Sequence, residues 1–173
     1  MIACPFCGSE NPEGADNCED CSNSLTDLSI PRPTTPVVHS LLKDRIASLK
    51  PKTPFAVAPE TPIGEVLDHM IDESFGCVMI VANDMLLGIF SEFDALMKLN
   101  TDVAQHASRP ISSVMTPDPV ALEMKHKIAF ALHKMHVGGY RHLPILEQGR
   151  LVGVISIRDI LKYLTSHIMA EAT

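Results

Sequence analysis

Two groups of residues stand at spacings that chemistry uses. Cys4-Pro-Phe-Cys7 and Cys18-Glu-Asp-Cys21 are C-x-x-C pairs with ten residues between them, which lets two tight knuckles converge on one tetrahedral ion. Zinc is the natural occupant, because four thiolates suit a d¹⁰ ion without redox chemistry; iron is the main competitor. Four Cys ligands leave no open position for water or substrate, so the expected centre is structural rather than catalytic. Gly8, just past the second Cys, permits the left-handed backbone that such a knuckle needs. Two disulfides are the competing pairing. They fit poorly with the opening Met1-Ile-Ala-Cys4, which lacks a basic start followed by an apolar signal core, and a reducing, cytoplasmic setting is expected.

The second group is a pair. Gly88-Ile-Phe-Ser91-Glu-Phe-Asp94 returns 65 residues later as Gly153-Val-Ile-Ser156-Ile-Arg-Asp159. Ser followed three residues on by an acid is the capping-box pattern at a helix start, and that alone accounts for Ser91, Ser156 and their Asp partners. The same geometry has a second use. Free N–H groups at a helix start attract phosphate, and a carboxylate one turn in can accept both hydrogen bonds of a ribose diol.

The elements that must position these residues form an internal repeat. Residues 49–99 align with 114–164 without a gap, matching Pro54 with Pro119, Ile63 with Ile128, Leu67 with Leu132, Met70 with Met135, Ile80 with Ile145 and Leu86 with Leu151. Most matches are apolar or turn-forming, as two copies of one fold require. Each copy is expected to open on a short helix, over residues 41–49 and 103–114, followed by a strand-like segment after Pro54 or Pro119. Ile63, Val66, Leu67, Met70 and Ile71 make the stripe of an amphipathic helix, repeated by Ile128, Ala131, Leu132 and Met135. Then comes a two-strand hairpin turning at Asn83-Asp84 or Gln148-Gly149, and a helix starting at Ser91 or Ser156. The fold class is α/β with pseudo-twofold symmetry and the two sheets packed together.

The expected organisation is a metal-bound ribbon over residues 1–25, a Pro-rich linker over 26–40, repeat 1 over 41–102 and repeat 2 over 103–173. The ribbon has too few large apolar side chains to fold by burial, so the metal must supply on the order of 10 kcal/mol. Pro31, Pro33 and Pro36 among Ser and Thr read as a semi-extended hinge that leaves the ribbon free. The chain carries a net charge of −7 over 173 residues. Residues 1–30 contain six acids and no Lys, Arg or His, whereas residues 103–173 contain eight Lys and Arg against five acids. A bound anion is therefore expected on the second repeat, and nucleic acid is not expected on the ribbon. The longest apolar run, residues 77–82, is too short to cross a bilayer.

The N-terminal segment resembles the short zinc-ribbon family in its Cys spacing. Residues 40–165 resemble the CBS domain family, named after cystathionine β-synthase, present as the tandem pair called a Bateman module. The two G-h-h-S-x-x-D ends carry the likeness, with Tyr140-Arg-His-Leu-Pro-Ile145 and Met115-Thr-Pro-Asp-Pro-Val120. The resemblance implies that Asp94 and Asp159 hold a ribose, that Ser91, Ser156 and the backbone at Ile89 and Val154 line nucleoside pockets drawing on both repeats, and that basic residues beside the second hairpin reach phosphates. Tyr140, Arg141 and His142 stand there; the first copy has Phe75, Gly76 and Cys77. It also implies an adenine nucleotide or adenosyl ligand (AMP, ADP, ATP or S-adenosylmethionine class), a regulatory role and a homodimer.

A different class of function is a ligand-free dimeric adaptor whose ribbon contacts a protein or nucleic acid. No nucleophile stands beside a base in any recognisable motif, so no enzyme is expected. His133 and His136 lack a third ligand and are read as solvated or half-buried; Cys77 reads as an inert core thiol.

Overall fold

Gly8 and Ser22, at φ 82° and 57°, close two knuckles of the same shape. Gly8 N–H donates to the Cys4 carbonyl (2.9 Å) and Ser22 N–H to that of Cys18 (2.8 Å); Cys4 N–H reaches Ser9 O and Cys18 N–H reaches Asn23 O, both at 2.8 Å. Strands β1 (Ile2–Ala3) and β2 (Glu10–Asn11) pair antiparallel beside the first knuckle. In this computed structural model the described residues are 1–12, 15–25, 36–99 and 103–171. The linker expected over 26–40 therefore lies mostly outside the described residues, and its last part is not extended. Helix α1 (Pro36–Lys43) begins there, with Pro36 at the helix start, where a missing N–H costs little. A 3-10 turn, Ile46–Leu49, follows, so the single helix expected over 41–49 is two pieces.

The chain divides into two compact units. One comprises Met1–Pro51, Leu122–Leu143 and Ile155–Thr173; the other comprises Lys52–Ala121 and Pro144–Val154. Each is described by itself.

In the second unit, β3 (Ala56–Val57) runs parallel to β4 (Cys77–Ala82), which pairs antiparallel with β5 (Met85–Ser91). Between them α2 (Ile63–Asp72) buries Ile63, Val66 and Met70, while Ile71, expected on the same stripe, is 75% exposed. The β4–β5 turn has positive φ at both Asn83 and Asp84, the two-residue arrangement whose twist matches the flanking strands. After β5 come α3 (Glu92–Asp94), a π-helical turn (Ala95–Leu99) and α4 (Val103–His106). The helix expected over 103–114 stops early. Arg109 and Pro110 intervene before a 3-10 turn at Ile111–Ser113, since proline cannot supply a helical N–H. Strand β6 (Thr116–Pro117) then closes the sheet in the order β3-β4-β5-β6. The core is Ile63, Val66, Met70, Val78, Ile80, Phe90, Leu99, Ile111 and Val114.

The second copy repeats the plan with β7 (Leu122–Glu123), α5 (Ile128–Gly138), β8 (His142–Glu147), β9 (Arg150–Ser156) and α6 (Ile157–Glu171). Its sheet runs β7-β8-β9, and its hairpin turns on Gln148 and Gly149, both at positive φ. The unit boundary cuts β8 after Leu143 and β9 after Val154. In the first unit Ile46, Leu122, Ile128, Phe130, Ala131, Met135, Leu143, Ile155 and Ile160 are buried. No helix among the described residues is long and apolar enough to cross a membrane.

The ribbon is not free of this unit. Phe6, inside the first knuckle, packs its ring against Phe130 (centroids 6.5 Å apart) and His133 (5.6 Å) on α5. Asp20, inside the second knuckle, lies 3.9 Å from Lys125 Nζ and 4.0 Å from His126 Nε2. This corrects the expectation of a hinged ribbon: the knuckles' non-ligand residues hold it to the second repeat. His133 accordingly has a use as a ring partner.

Candidate functional site

Cys4, Cys7, Cys18 and Cys21 are all buried, and their sulfurs lie within 4.8 Å of one another. Cys4 and Cys21 are 3.6 Å apart at sulfur, and Cys7 and Cys18 3.5 Å. A tetrahedron of thiolates at zinc–sulfur distance has edges of about 3.8 Å, so the donor set fits such an ion. The surroundings supply N–H groups to sulfur. Asn11 Nδ2 lies 3.5 Å from Cys18 Sγ, and Asn23 Nδ2 3.4 Å from Cys21 Sγ. Asn11 is fully buried, donates also to Ser9 O (2.8 Å), and accepts Glu19 N–H at 3.0 Å. Burial pushes the Cys4 and Cys21 thiols up. It opposes ionisation of Cys18 too, but N–H groups of Cys21 and Asp20 outweigh it and bring that thiol down to about 6. Asn11 had no signal in the sequence beyond its place between the two pairs.

The two Ser/Asp ends are built alike. Ser91 is the N-cap of α3. Its Oγ accepts Asp94 N–H (3.3 Å), while Asp94 Oδ2 accepts Ser91 N–H (2.9 Å) and Oγ–H (2.6 Å). At the start of α6, Asp159 Oδ2 accepts Ser156 N–H at 2.8 Å and Oγ–H at 2.6 Å. Each helix start is also tied to the residue before its hairpin: Glu92 N–H donates to Gly76 O (3.1 Å), and Ile157 N–H to Arg141 O (2.9 Å). The second tie fixes the exposed Arg141 beside the Ser156/Asp159 turn, with His142 next to it at the first position of β8. The first copy offers only Gly76 at that place.

The glycine that opens each motif has a steric reason in the first copy. A Cβ on Gly88 would stand 2.5 Å from Met115 Sδ and 3.0 Å from the Thr116 carbonyl, because β6 runs against β5 there. Ile89 pairs with Thr116 in that ladder. Val154 N–H and C=O are both bonded to Lys52, at 3.0 Å each, so its half-buried side chain is what remains for lining a site. Tyr140 is half-buried, and burial raises its hydroxyl's pKa. Its ring lies over Gly138, where a Cβ would stand 1.9 Å from Cε1. Gly138, unnoticed in the sequence, thus seats Tyr140.

Lys98 and Thr116 also escaped sequence reasoning. Lys98 Nζ lies 2.8 Å from Asp94 Oδ1, and Thr116 Oγ1 donates to that same oxygen at 3.1 Å. Burial alone would raise the Asp94 carboxyl, but the Lys98 ammonium and the Ser91 donors outweigh it and hold the group below the usual carboxylate range.

Paired strand–strand–helix copies, each with a capped Ser/Asp turn, define a tandem α/β module. The CBS-domain family model matches residues 46–101 and again 111–166, and the chain belongs to the CBS-domain family. A CBS domain-containing protein of Arabidopsis thaliana is 28% identical over 123 residues, which is 70% of this chain and 22% of that protein. The chain thus spans about a fifth of that relative's length. A solved CBS-domain protein from Agrobacterium tumefaciens is 28% identical with a TM-score of 0.63, covering 68% of this chain and 94% of that one. A CBS domain protein from Pyrobaculum aerophilum, solved in complex with AMP, is 25% identical with a TM-score of 0.60, covering 70% and 98%.

Proposed function

We propose that the chain is a regulatory sensor that binds an adenine nucleotide or related adenosyl ligand at its CBS repeats and carries a structural zinc ion in its N-terminal ribbon. The hydrogen bond from Ile157 N–H to the Arg141 carbonyl supports this most directly. It holds a permanent cation beside a helix start whose Asp159 suits a ribose diol and whose N–H groups suit a phosphate. Ser156, His142, Tyr140 and the Val154 side chain complete the set on that copy; Ser91, Asp94 and Ile89 are its counterparts on the first. The AMP bound by the Pyrobaculum protein gives the ligand class its support. The ligand would act by favouring one arrangement of the repeats over another, by no more than its differential affinity for them.

Zinc is the ion the four buried thiolates suit, held by Cys4, Cys7, Cys18 and Cys21 with Asn11 and Asn23 donating to sulfur. A homodimer is part of the proposal. Phe93, Leu96 and Met97 are exposed in one unit and Leu161 in the other, apolar surface that a second copy would cover. A cytoplasmic setting, where thiolates stay reduced, suits this centre.

Thermal melting with added AMP tests the reading. AMP is expected to raise the melting temperature, and Asp159→Ala to abolish the shift. A panel of adenine nucleotides and S-adenosylmethionine that leaves the wild-type melt unmoved would overturn it and favour the adaptor, in which the repeats only dimerise and the ribbon meets a partner protein.

A further inference from the structure

We propose that the ribbon is a second input to the module: folded around its metal, it holds α5 from the outside and so tightens binding of the adenosyl ligand at the second repeat. This rests on the nucleotide-sensing reading above and adds what regulates that site.

Helix α5 is covered on two sides. Ile128, Ala131 and Met135 are buried on one stripe. Phe130 stands two residues from Ile128, about 200° round a helix of 3.6 residues per turn, on the side that an amphipathic helix turns to water. It is nevertheless only 2% exposed. Its ring is enclosed by Phe6 of the ribbon (centroids 6.5 Å apart), by the edge of His126 (5.3 Å) and by Lys134 Nζ (5.2 Å). The first repeat shows that face without a ribbon. At the offset of 65, Phe130, His133 and Val137 correspond to Glu65, Asp68 and Asp72, all exposed on α2, and Lys125 corresponds to Glu60. An acidic ribbon with an aromatic tip has nothing to bind on α2. On the second repeat Phe6 meets Phe130 and His133, and Asp20 lies 3.9 Å from Lys125 Nζ.

The far end of the same helix carries the candidate site. From Phe130 to Gly138 is eight residues, about 12 Å of helix. Gly138, the last residue of α5, lies under the Tyr140 ring, and the Arg141 carbonyl accepts Ile157 N–H (2.9 Å) at the start of α6. One rigid element therefore joins the ribbon's contact to the residues proposed to meet the ligand. The ribbon is a two-state element, because a segment with so few large apolar side chains folds only as its thiolates take a metal. Its unfolding withdraws Phe6, leaves Phe130 facing water and lets α5 fray. Tyr140 and Arg141 are then held less firmly, and the ligand must supply the ordering itself. Coupling of this kind is reciprocal, so bound ligand raises metal affinity by the same factor.

The experiment measures both affinities on the full chain. The probe is the tightest binder among AMP, ADP, ATP and S-adenosylmethionine, titrated by calorimetry into zinc-loaded wild type, chelator-stripped wild type and zinc-loaded Phe6→Ala, which keeps all four Cys residues. Zinc affinity is read by competition with a chromophoric chelator, with and without saturating probe. Stripped wild type and Phe6→Ala are each expected to bind the probe about fivefold or more weakly than loaded wild type, at the low end of ordinary coupling. The probe should raise the zinc affinity of wild type by the same factor and leave that of Phe6→Ala unmoved. Phe130→Glu, which installs the first repeat's residue and leaves the ribbon intact, takes the place of Phe6→Ala if the latter holds less than one zinc per chain. Equal probe affinity in loaded and stripped wild type, or wild-type affinity in the zinc-loaded variant, would overturn the inference while leaving the sensor reading standing. Zinc-loaded wild type that binds none of the four compounds removes the sensor reading, and the inference falls with it.

Discussion

Asp94 carries a testable consequence in its own titration. Its folded pKa is held down, chiefly against burial, by Lys98 and Ser91. A depressed carboxyl stabilises the fold above its unfolded value, about 3.9, and that contribution is lost as pH falls through the lower folded value. Carbon-detected NMR of the carboxyl should show Asp94 ionised at pH values where ordinary aspartates have protonated, and Lys98→Met should move its titration upward. An Asp94 curve unmoved by that substitution contradicts the pairing. Gly138 gives a second test at this scale. With only two tyrosines in the chain, the ring signals of Tyr140 are easily assigned; Gly138→Ala is expected to shift them strongly, since the new methyl and the ring cannot share the space. Asn11→Ala, which leaves Glu19 N–H unmet and removes a donor from Cys18, is expected to cost about 1–3 kcal/mol in the ribbon's stability. Chelator-dependent melting measures it. Asp94 was legible in the sequence; Lys98, Gly138 and Asn11 were not. Each matters through a neighbour 8 to 22 positions away or through the room it leaves for a ring, and a linear pattern records neither.

Among the elements, the ribbon and α5 form the coupling that matters most. Phe6 sits between the first two Cys residues and its ring meets Phe130 and His133, so the fold of the knuckle sets where the ring goes. Removing the metal, by chelation or by Cys18→Ser, is expected to unfold residues 1–25 and to raise amide hydrogen exchange along α5. The exchange of β4 and β5 should stay as it was. Faster exchange confined to residues 1–25 would contradict the docking. The sequence pointed to a hinge because prolines describe how the chain travels, and say nothing of what a single Phe in C-P-F-C will touch. By contrast, the hairpins were legible, because Asn83-Asp84 and Gln148-Gly149 are residues that tolerate positive φ between apolar runs. The α2 stripe was legible too, except at its edge, where Ile71 turns out to solvent. The helix expected over 103–114 failed at Pro110, a breaker the apolar spacing concealed.

For the whole molecule, the repeat itself was the clearest message. Two copies of one apolar pattern at a fixed offset specify one fold twice, and the family match falls on both copies. What the pattern left open was whether two similar Ser/Asp turns do similar work, because capping and ligand binding ask for the same residues. The named surroundings of the turns differ, with Lys98 and Thr116 on Asp94 at one and Arg141 tied beside the other. Assembly can be tested at this scale as well. The doubly substituted Leu96→Asp, Met97→Asp chain is expected to sediment as a monomer where wild type sediments as a dimer, and a wild-type monomer contradicts the proposed pairing.

The most direct test of the central claim is native mass spectrometry of the freshly purified full chain, before and after incubation with AMP. A dimer with one zinc per chain, gaining nucleotide mass on incubation with AMP, is the expected spectrum. A zinc-loaded protein that gains no nucleotide mass with AMP, ADP, ATP or S-adenosylmethionine would contradict the account.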